Sequence, residues 1–261
     1  MRRCGWDVCV NPCGTPFNPV SIAGPLLAEP YTVEPEGFSF SFPTTFYSGN
    51  AMAEARRNLQ ASLHRSQALI ATFGTAIAYE KDGFIVANCH KRPAAEFKRR
   101  LLTIEEIVEK WTEVIRHLRK NNPGLAIVLT VSPVRHVREG FEENSASKAT
   151  LLLACRKLCE TQPDTFYFPA FEIVNDDLRD YRFFQQDLVH PSQMAVDYIW
   201  EKFRDTFLDT EAQKIVEAGL ALRRRKEHRF IHPESPEAQR FRRETEKAES
   251  ELLASHPTLR F

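Results

Sequence analysis

Residues 125–136 read Leu-Ala-Ile-Val-Leu-Thr-Val-Ser-Pro-Val-Arg-His, a nearly unbroken apolar run stopped at Ser132 and Pro133. Strict alternation would mark a strand with one wet face. A continuous run marks a strand buried on both faces, as in a parallel sheet. Just upstream, Ile104, Ile107, Val108, Trp111, Val114, Ile115 and Leu118 share one face of a helix. Thr103, with Glu106 three residues later, predicts a capping box at its start, and Asn121, Asn122, Pro123 and Gly124 predict its end. Downstream, Ser147 is expected to open another helix through Leu151, Leu152, Cys155 and Leu158.

The same alternation extends in both directions. Trp6 to Val10 reads as a strand stopped by Asn11 and Pro12, Ala68 to Phe73 as one ended by Gly74, and Thr165 to Val174 contains a fourth. A weaker helix from Asn50 to about Arg65 precedes the second run. Pro191 can open one through Ala195, Tyr198, Ile199, Phe203 and Phe207, because proline in the first helical position loses no hydrogen bond. Strand and helix in repetition predict a three-layer α/β sandwich with a parallel sheet and crossovers on both faces. Residues 1–208 are expected to form this domain, and 209–261 a charged helical C-terminal extension packed on it, its charge runs being solvated helix faces. The stretch from Glu29 to Gly49, with its prolines and aromatics, is expected to pack over the sheet.

Composition limits the partners. Thirty-five basic residues balance thirty-five acidic ones among 261, so no net field draws in nucleic acid or an anionic membrane. Apolar runs fall short of the ~20 residues of a membrane helix, and the N-terminus lacks the apolar core of a secretory signal. The six cysteines contain no CxxC pair and lack the spacing of a zinc site, so free thiols in a reducing cytoplasm are expected, with no metal and no cofactor. The oligomeric state is not legible.

In an open α/β sheet, ligands bind outside the carboxyl ends of the strands. The segments there are Asn11 to Pro19, Gly74 to Ala76, Asn88 to Lys91, Ser132 to His136 and Asp176 to Pro191. They supply Asn18, Gly74, Thr75, Asn88, His90, Arg135 and His136 as candidate contacts to substrate. Arg135 and His136 suit an anionic or polar substrate group, or alternatively tie the loops to Asp176, Asp177 or Asp180. The sharpest signal is Asp187-Leu-Val-His190-Pro191. A carboxylate three residues before a histidine can accept its Nδ1 proton and turn Nε2 outward as a general base. A nucleophile is harder to find. Ser48 and Ser132 lack a strand-to-helix elbow, and Cys89 and His90, adjacent on an extended chain, point to opposite sides.

Read in order, NPCGTPFNPVSI, FGTAIAY, VANCHKRP, TVSPVRH, EN followed by SKA, YFPAFEI, DDLRDYRF, DLVHP, HRFIHPESPEAQRF and HPTLRF resemble the GSCFA family over residues 11–261. The terminal DxxHP resembles that of SGNH (GDSL-like) esterases. The resemblance implies an SGNH-like fold and serine-dependent hydrolysis of a small-molecule or glycan ester. It makes Asp187 and His190 catalytic and Gly14 a backbone donor for the oxyanion. Gly74 and Thr75 stand where a GxN block is usual, with Thr75 or Asn88 as substitute donor. The Gly-Ser-Cys-Phe-Ala motif that names the family, and its presumed serine nucleophile, do not occur in this sequence. The chain is therefore expected to be a fragment, or one with a mis-assigned start, that lacks the first strand. Trp6 to Val10 and Ala68 to Phe73 would then flank an open slot. Restoring the missing segment is expected to restore an ester hydrolase; a non-catalytic ligand-binding domain is the alternative.

Overall fold

In the computed structural model, which describes residues 1–32, 34, 39–42 and 49–261, the run at 126–131 is the middle strand of a three-stranded parallel sheet. In chain order the elements are α1 (Pro19–Leu26), α2 (Gly49–Arg65), β1 (Ala68–Phe73), β2 (Ile77–Lys81), β3 (Phe84–Val86), β4 (Lys98–Leu101), α3 (Ile104–Asn121), β5 (Ala126–Val131), α4 (Phe141–Thr161), β6 (Thr165–Phe168), the single turn α5 (Ala170–Glu172), which continues as a π-helix (Ile173–Leu178), α6 (Gln193–Phe207), α7 (Thr210–Glu227) and α8 (Pro236–Ser255). They form two compact units, Asn11–Ile199 and Met1–Val10 with Trp200–Phe261.

In the larger unit the strand order is β1-β5-β6, in register from Ala68↔Ala126 to Phe73↔Val131 and from Ile127↔Thr165 to Thr130↔Phe168. Both steps run in the same direction across the sheet. Right-handed crossovers then place the intervening helices on the same face. Accordingly Ile107, Trp111, Val114 and Ile115 of α3 and Leu151, Ala154, Cys155 and Leu158 of α4 share one core with Phe73, Ile127, Leu129 and Val131. The opposite face is covered over its middle strand, where Val128 and Thr130 are buried, but Ile70 is 44% and Phe166 47% exposed at the flanks. The architecture is thus α/β with a parallel sheet, and the expected helical cover on the second face is only partial.

Helix α3 starts as its capping box predicts. The Glu106 amide donates to Thr103 Oγ1 at 3.1 Å, and the Thr103 amide donates to Glu106 Oε2 at 2.8 Å. Arg100 straps this turn to β2, donating to Glu106 and, at 2.5 Å, to Glu80. Helix α4 begins at Phe141 rather than Ser147, and α6 begins two residues after Pro191, its Ala195 amide directed to the Ser192 hydroxyl at 3.4 Å.

Two departures from expectation have physical causes. Trp6 to Val10 is not a strand: these residues lie in the smaller unit, Val10 is 55% exposed, and no ladder joins them to β1. An apolar run forms a strand only where another strand is placed to complete its backbone hydrogen bonds. The second departure is an antiparallel sheet, β3-β2-β4, between β1 and α3. Its hairpin turns at Asp82 (φ 53°) and Gly83 (φ 84°), the two left-handed residues of a type I′ turn.

The smaller unit is built on α7 and α8. Lys226 donates to Glu249 and Arg225 to Thr245 between the two helices, and the rings of His228, Phe230 and Phe241 pack against one another. The last residues return to the first, with the Arg260 amide donating to the Gly5 carbonyl.

Candidate functional site

The segment between the π-helix and α6 folds back on itself. The Gln185 amide donates to the His190 carbonyl at 2.7 Å and the Ser192 amide to the Phe183 carbonyl at 2.7 Å, with Phe184 and Pro191 bridged as a two-residue antiparallel pair. At the tip, Leu188 takes the left-handed conformation (φ 57°) and its amide donates to the Gln185 carbonyl. That turn aims the Asp187 carboxylate back at the chain behind it. Oδ1 accepts from the amides of Val189 (2.9 Å) and His190 (3.0 Å), and Oδ2 lies 2.7 Å from Nδ1 of His190. The backbone bond from His190, its ring bond and the Val189 amide hold the Asp187 carboxyl down at about 2. An ionised Asp187 accepts the Nδ1 proton, so the neutral ring is fixed with an unprotonated Nε2, which has no protein partner among the described residues. Both side chains are half exposed.

A second cluster forms at the carboxyl ends of β1 and β5. Gly74 directly follows β1, and its amide and that of Thr75 both donate to the Phe17 carbonyl, at 2.8 and 3.2 Å. A Cβ on Gly74 would lie 3.2 Å from that carbonyl and from the Phe17 side chain, so a side chain here would push the Phe17 loop back by a few tenths of an ångström. From α4, the Ser147 hydroxyl accepts from the Ala76 amide at 2.7 Å and shares a hydrogen bond of 3.0 Å with Thr75 Oγ1. Beside it the buried Lys148 donates from Nζ to the carbonyls of Gly74 (2.5 Å) and Ser132 (2.7 Å), tying the ends of the two strands together. Burial pushes the Lys148 ammonium down to about 8.

The remaining sequence candidates fall into place around these two groups. The Gly14 amide donates to the Asn11 carbonyl in a turn with left-handed Asn11 and Gly14, so Gly14, Gly74 and Thr75 all spend their amides inside the protein. Asn18 caps α1, its side chain bonding both the amide and hydroxyl of Ser21. His90 is buried, with Nε2 at 2.9 and 3.0 Å from the carbonyls of Ser39 and Phe42, and Asn88 Oδ1 accepts from the His90 amide. His90 thus ties the chain that follows the hairpin to the 39–42 segment, and Asn88 fixes the His90 backbone. The His136 amide donates to Asn144 Oδ1, and its ring meets Phe17 edge-on at 6.0 Å. The Arg135 guanidinium stacks over Phe184 at 4.7 Å and Tyr181 at 5.7 Å, joining the β5 end to the segment that carries His190. None of Asp176, Asp177 and Asp180 pairs with it among the described residues.

Two of the alternative nucleophiles can be placed. Ser132 Oγ accepts from the Val134 amide, and burial raises the Cys89 thiol, which disfavours the thiolate a nucleophile needs. Ser48 lies outside the described residues. Ser147 and Lys148 are the residues that motif reasoning passed over, polar side chains in the buried stripe of an amphipathic helix.

Among the described residues no helix is long and apolar enough to cross a membrane. Neither the curated proteins nor the solved structures contain a match to the chain. The model of the GSCFA family does match it, over residues 1–203, well beyond half its length, and the chain therefore belongs to the GSCFA family.

Proposed function

We propose that this protein carries the acid–base half of an SGNH-like acyl-ester hydrolase site. Asp187 orients and charge-balances His190, and Nε2 of His190 takes the proton of a serine that is not among these 261 residues. The observation that carries this reading is the 2.7 Å contact between Nδ1 and Oδ2, on a half-exposed side chain whose Nε2 has no protein partner among the described residues. The pairing of β1 on one side alone among the described residues adds support, because its other edge is where a further strand would bring a nucleophile. The substrate is a small-molecule or glycan ester.

A non-catalytic ligand-binding domain draws on a different observation, the engagement of the Gly14, Gly74 and Thr75 amides in internal bonds, which leaves them no proton for an oxyanion. Short-chain nitrophenyl esters separate the two. The 261-residue chain alone is expected to show no turnover, and the same chain joined to an upstream segment bearing Gly-Ser-Cys-Phe-Ala is expected to hydrolyse them, with loss on His190→Ala. No turnover by the extended chain favours the binding domain. Turnover by the chain alone, lost on His190→Ala, requires a nucleophile among its own residues.

A further inference from the structure

Arg135 stands out in this site because its charge is held but not answered. The backbone on either side of it is fixed, with the Val134 amide on Ser132 Oγ and the His136 amide on Asn144 Oδ1. The residue is partly buried, and its guanidinium lies over two rings, 4.7 Å from the Phe184 ring centroid and 5.7 Å from that of Tyr181. Stacking occupies the face of the group and leaves the in-plane fork of N–H donors unused. No acceptor meets that fork among the described residues. The carboxylates of the neighbouring segment are turned elsewhere: Asp177 Oδ2 accepts from the Tyr198 hydroxyl at 2.6 Å, Asp180 Oδ1 from the Arg182 amide at 2.9 Å, and Asp187 from its own turn and His190. A guanidinium packed against aromatic rings gives up part of its hydration without gaining a counter-charge, and a bidentate anion is the partner its geometry fits. Phe184, on which it rests, is bridged to Pro191 of the same folded-back segment that carries Asp187 and His190, so such an anion would bind against that segment.

We propose that Arg135 binds a carboxylate or phosphate group on the ligand of the His190 site, so that the ester it takes is an anionic one. The inference rests on reading Asp187 and His190 as the reacting pair, and its test keeps the two apart. The 261-residue chain is titrated at constant ionic strength with benzoate, phenyl phosphate and the neutral benzamide, while the ring C–H signals of His190 are followed by NMR. Either anion is expected to shift these signals and benzamide to leave them in place. Arg135→Gln should weaken the response about ten-fold or more, Arg135→Lys should retain part of it, and Arg138→Gln, which removes an exposed neighbouring charge, should retain all of it. A response to benzoate alone assigns a carboxylate ester, and a response to phenyl phosphate alone a phosphorylated one. An equal response to benzamide, an unchanged response in Arg135→Gln, or none to either anion at tens of millimolar overturns the proposal. The ring nitrogen signals report the other reading independently. A neutral His190 protonated on Nε2 ends the reacting-pair assignment whatever the anions do, whereas an Nδ1-protonated ring with no anion response ends only the role of Arg135.

Discussion

Asp187 and His190 are joined twice, ring to carboxylate at 2.7 Å and backbone amide to the same carboxylate at 3.0 Å, so one turn fixes both the rotamer of the acid and the tautomer of the base. The carboxyl is held at about 2 against an ordinary 3.8, chiefly by the His190 amide and then by its ring. A carboxyl depressed in the folded state stabilises the fold fully above its unfolded value. That contribution is lost as pH falls from about 4 towards 2. Asp187→Asn is therefore expected to flatten the acid limb of the stability curve in this window, measured by chemical denaturation at successive pH values. It should also release the Nδ1-protonated tautomer. An acid limb identical to that of the parent protein would remove Asp187 from this role.

Leu188 is the residue on which that turn depends. A γ-branched side chain at φ 57° carries a strain of about 1–2 kcal/mol, tolerated because the turn bonds on either side over-determine it. A β-branched residue adopts this region still less readily. Leu188→Val is expected to destabilise the protein by about 1 kcal/mol and to mix the His190 tautomers, whereas Leu188→Gly should keep the single Nδ1-protonated form. Nitrogen NMR of the two variants at the same pH makes the comparison. Equal tautomer populations in both would show that the backbone turn does not govern the ring.

How much of this was legible follows from how local each feature is. The α3 capping box spans three residues, and both of its bonds are present. The Asp187-to-His190 spacing is equally local. Of the three sheet strands that read as continuous apolar runs, only β5, paired on both sides, is buried almost throughout, whereas β1 and β6 keep exposed residues on one face. Trp6 to Val10 shows the same pattern and is not a strand, since composition does not specify which chain lies alongside. The β2–β3 hairpin carried a signal of its own, Asp82-Gly83 between short apolar segments. The engagement of the Gly74 and Thr75 amides by Phe17, and of Gly74 and Ser132 by Lys148, joins residues far apart in sequence and becomes visible only in three dimensions.

Lys148 offers a prediction of the same slope as that for Asp187, in an alkaline window and for the opposite reason, since here the fold disfavours the charged form. Its ammonium is pushed down to about 8 by burial, against 10.5 when unfolded, so the unfolded chain binds more protons between these values. Stability attributable to Lys148 should then rise as pH goes from about 8 to 10.5. Lys148→Met removes this dependence but leaves the carbonyls of Gly74 and Ser132 without their donor, at a cost of about 1–3 kcal/mol at neutral pH. Denaturation of both proteins across this range reads the difference directly. A parent-minus-variant difference that falls with rising pH would mean that the charged form is the one favoured in the fold.

The last prediction concerns β1, which pairs with β5 on one side and with no strand on the other among the described residues. Its outward row, Ala68, Ile70 and Thr72, is exposed, and Ile70 retains 44% of its surface. An open edge with apolar side chains is a template for another strand, from an added segment or from a second molecule. Ile70→Lys places a charge on that row without touching the inward row of Leu69, Ala71 and Phe73, so it should cost no more than about 0.5 kcal/mol while lowering concentration-dependent self-association in light scattering. Val128, two residues into the same face on the central strand and 4% exposed, supplies the contrast, because Val128→Lys buries an unpaired charge and should unfold the protein. If Ile70→Lys proves as destabilising as Val128→Lys, the β1 edge is covered in solution. Scattering that is unchanged in a stable Ile70→Lys variant would place any self-association at another surface.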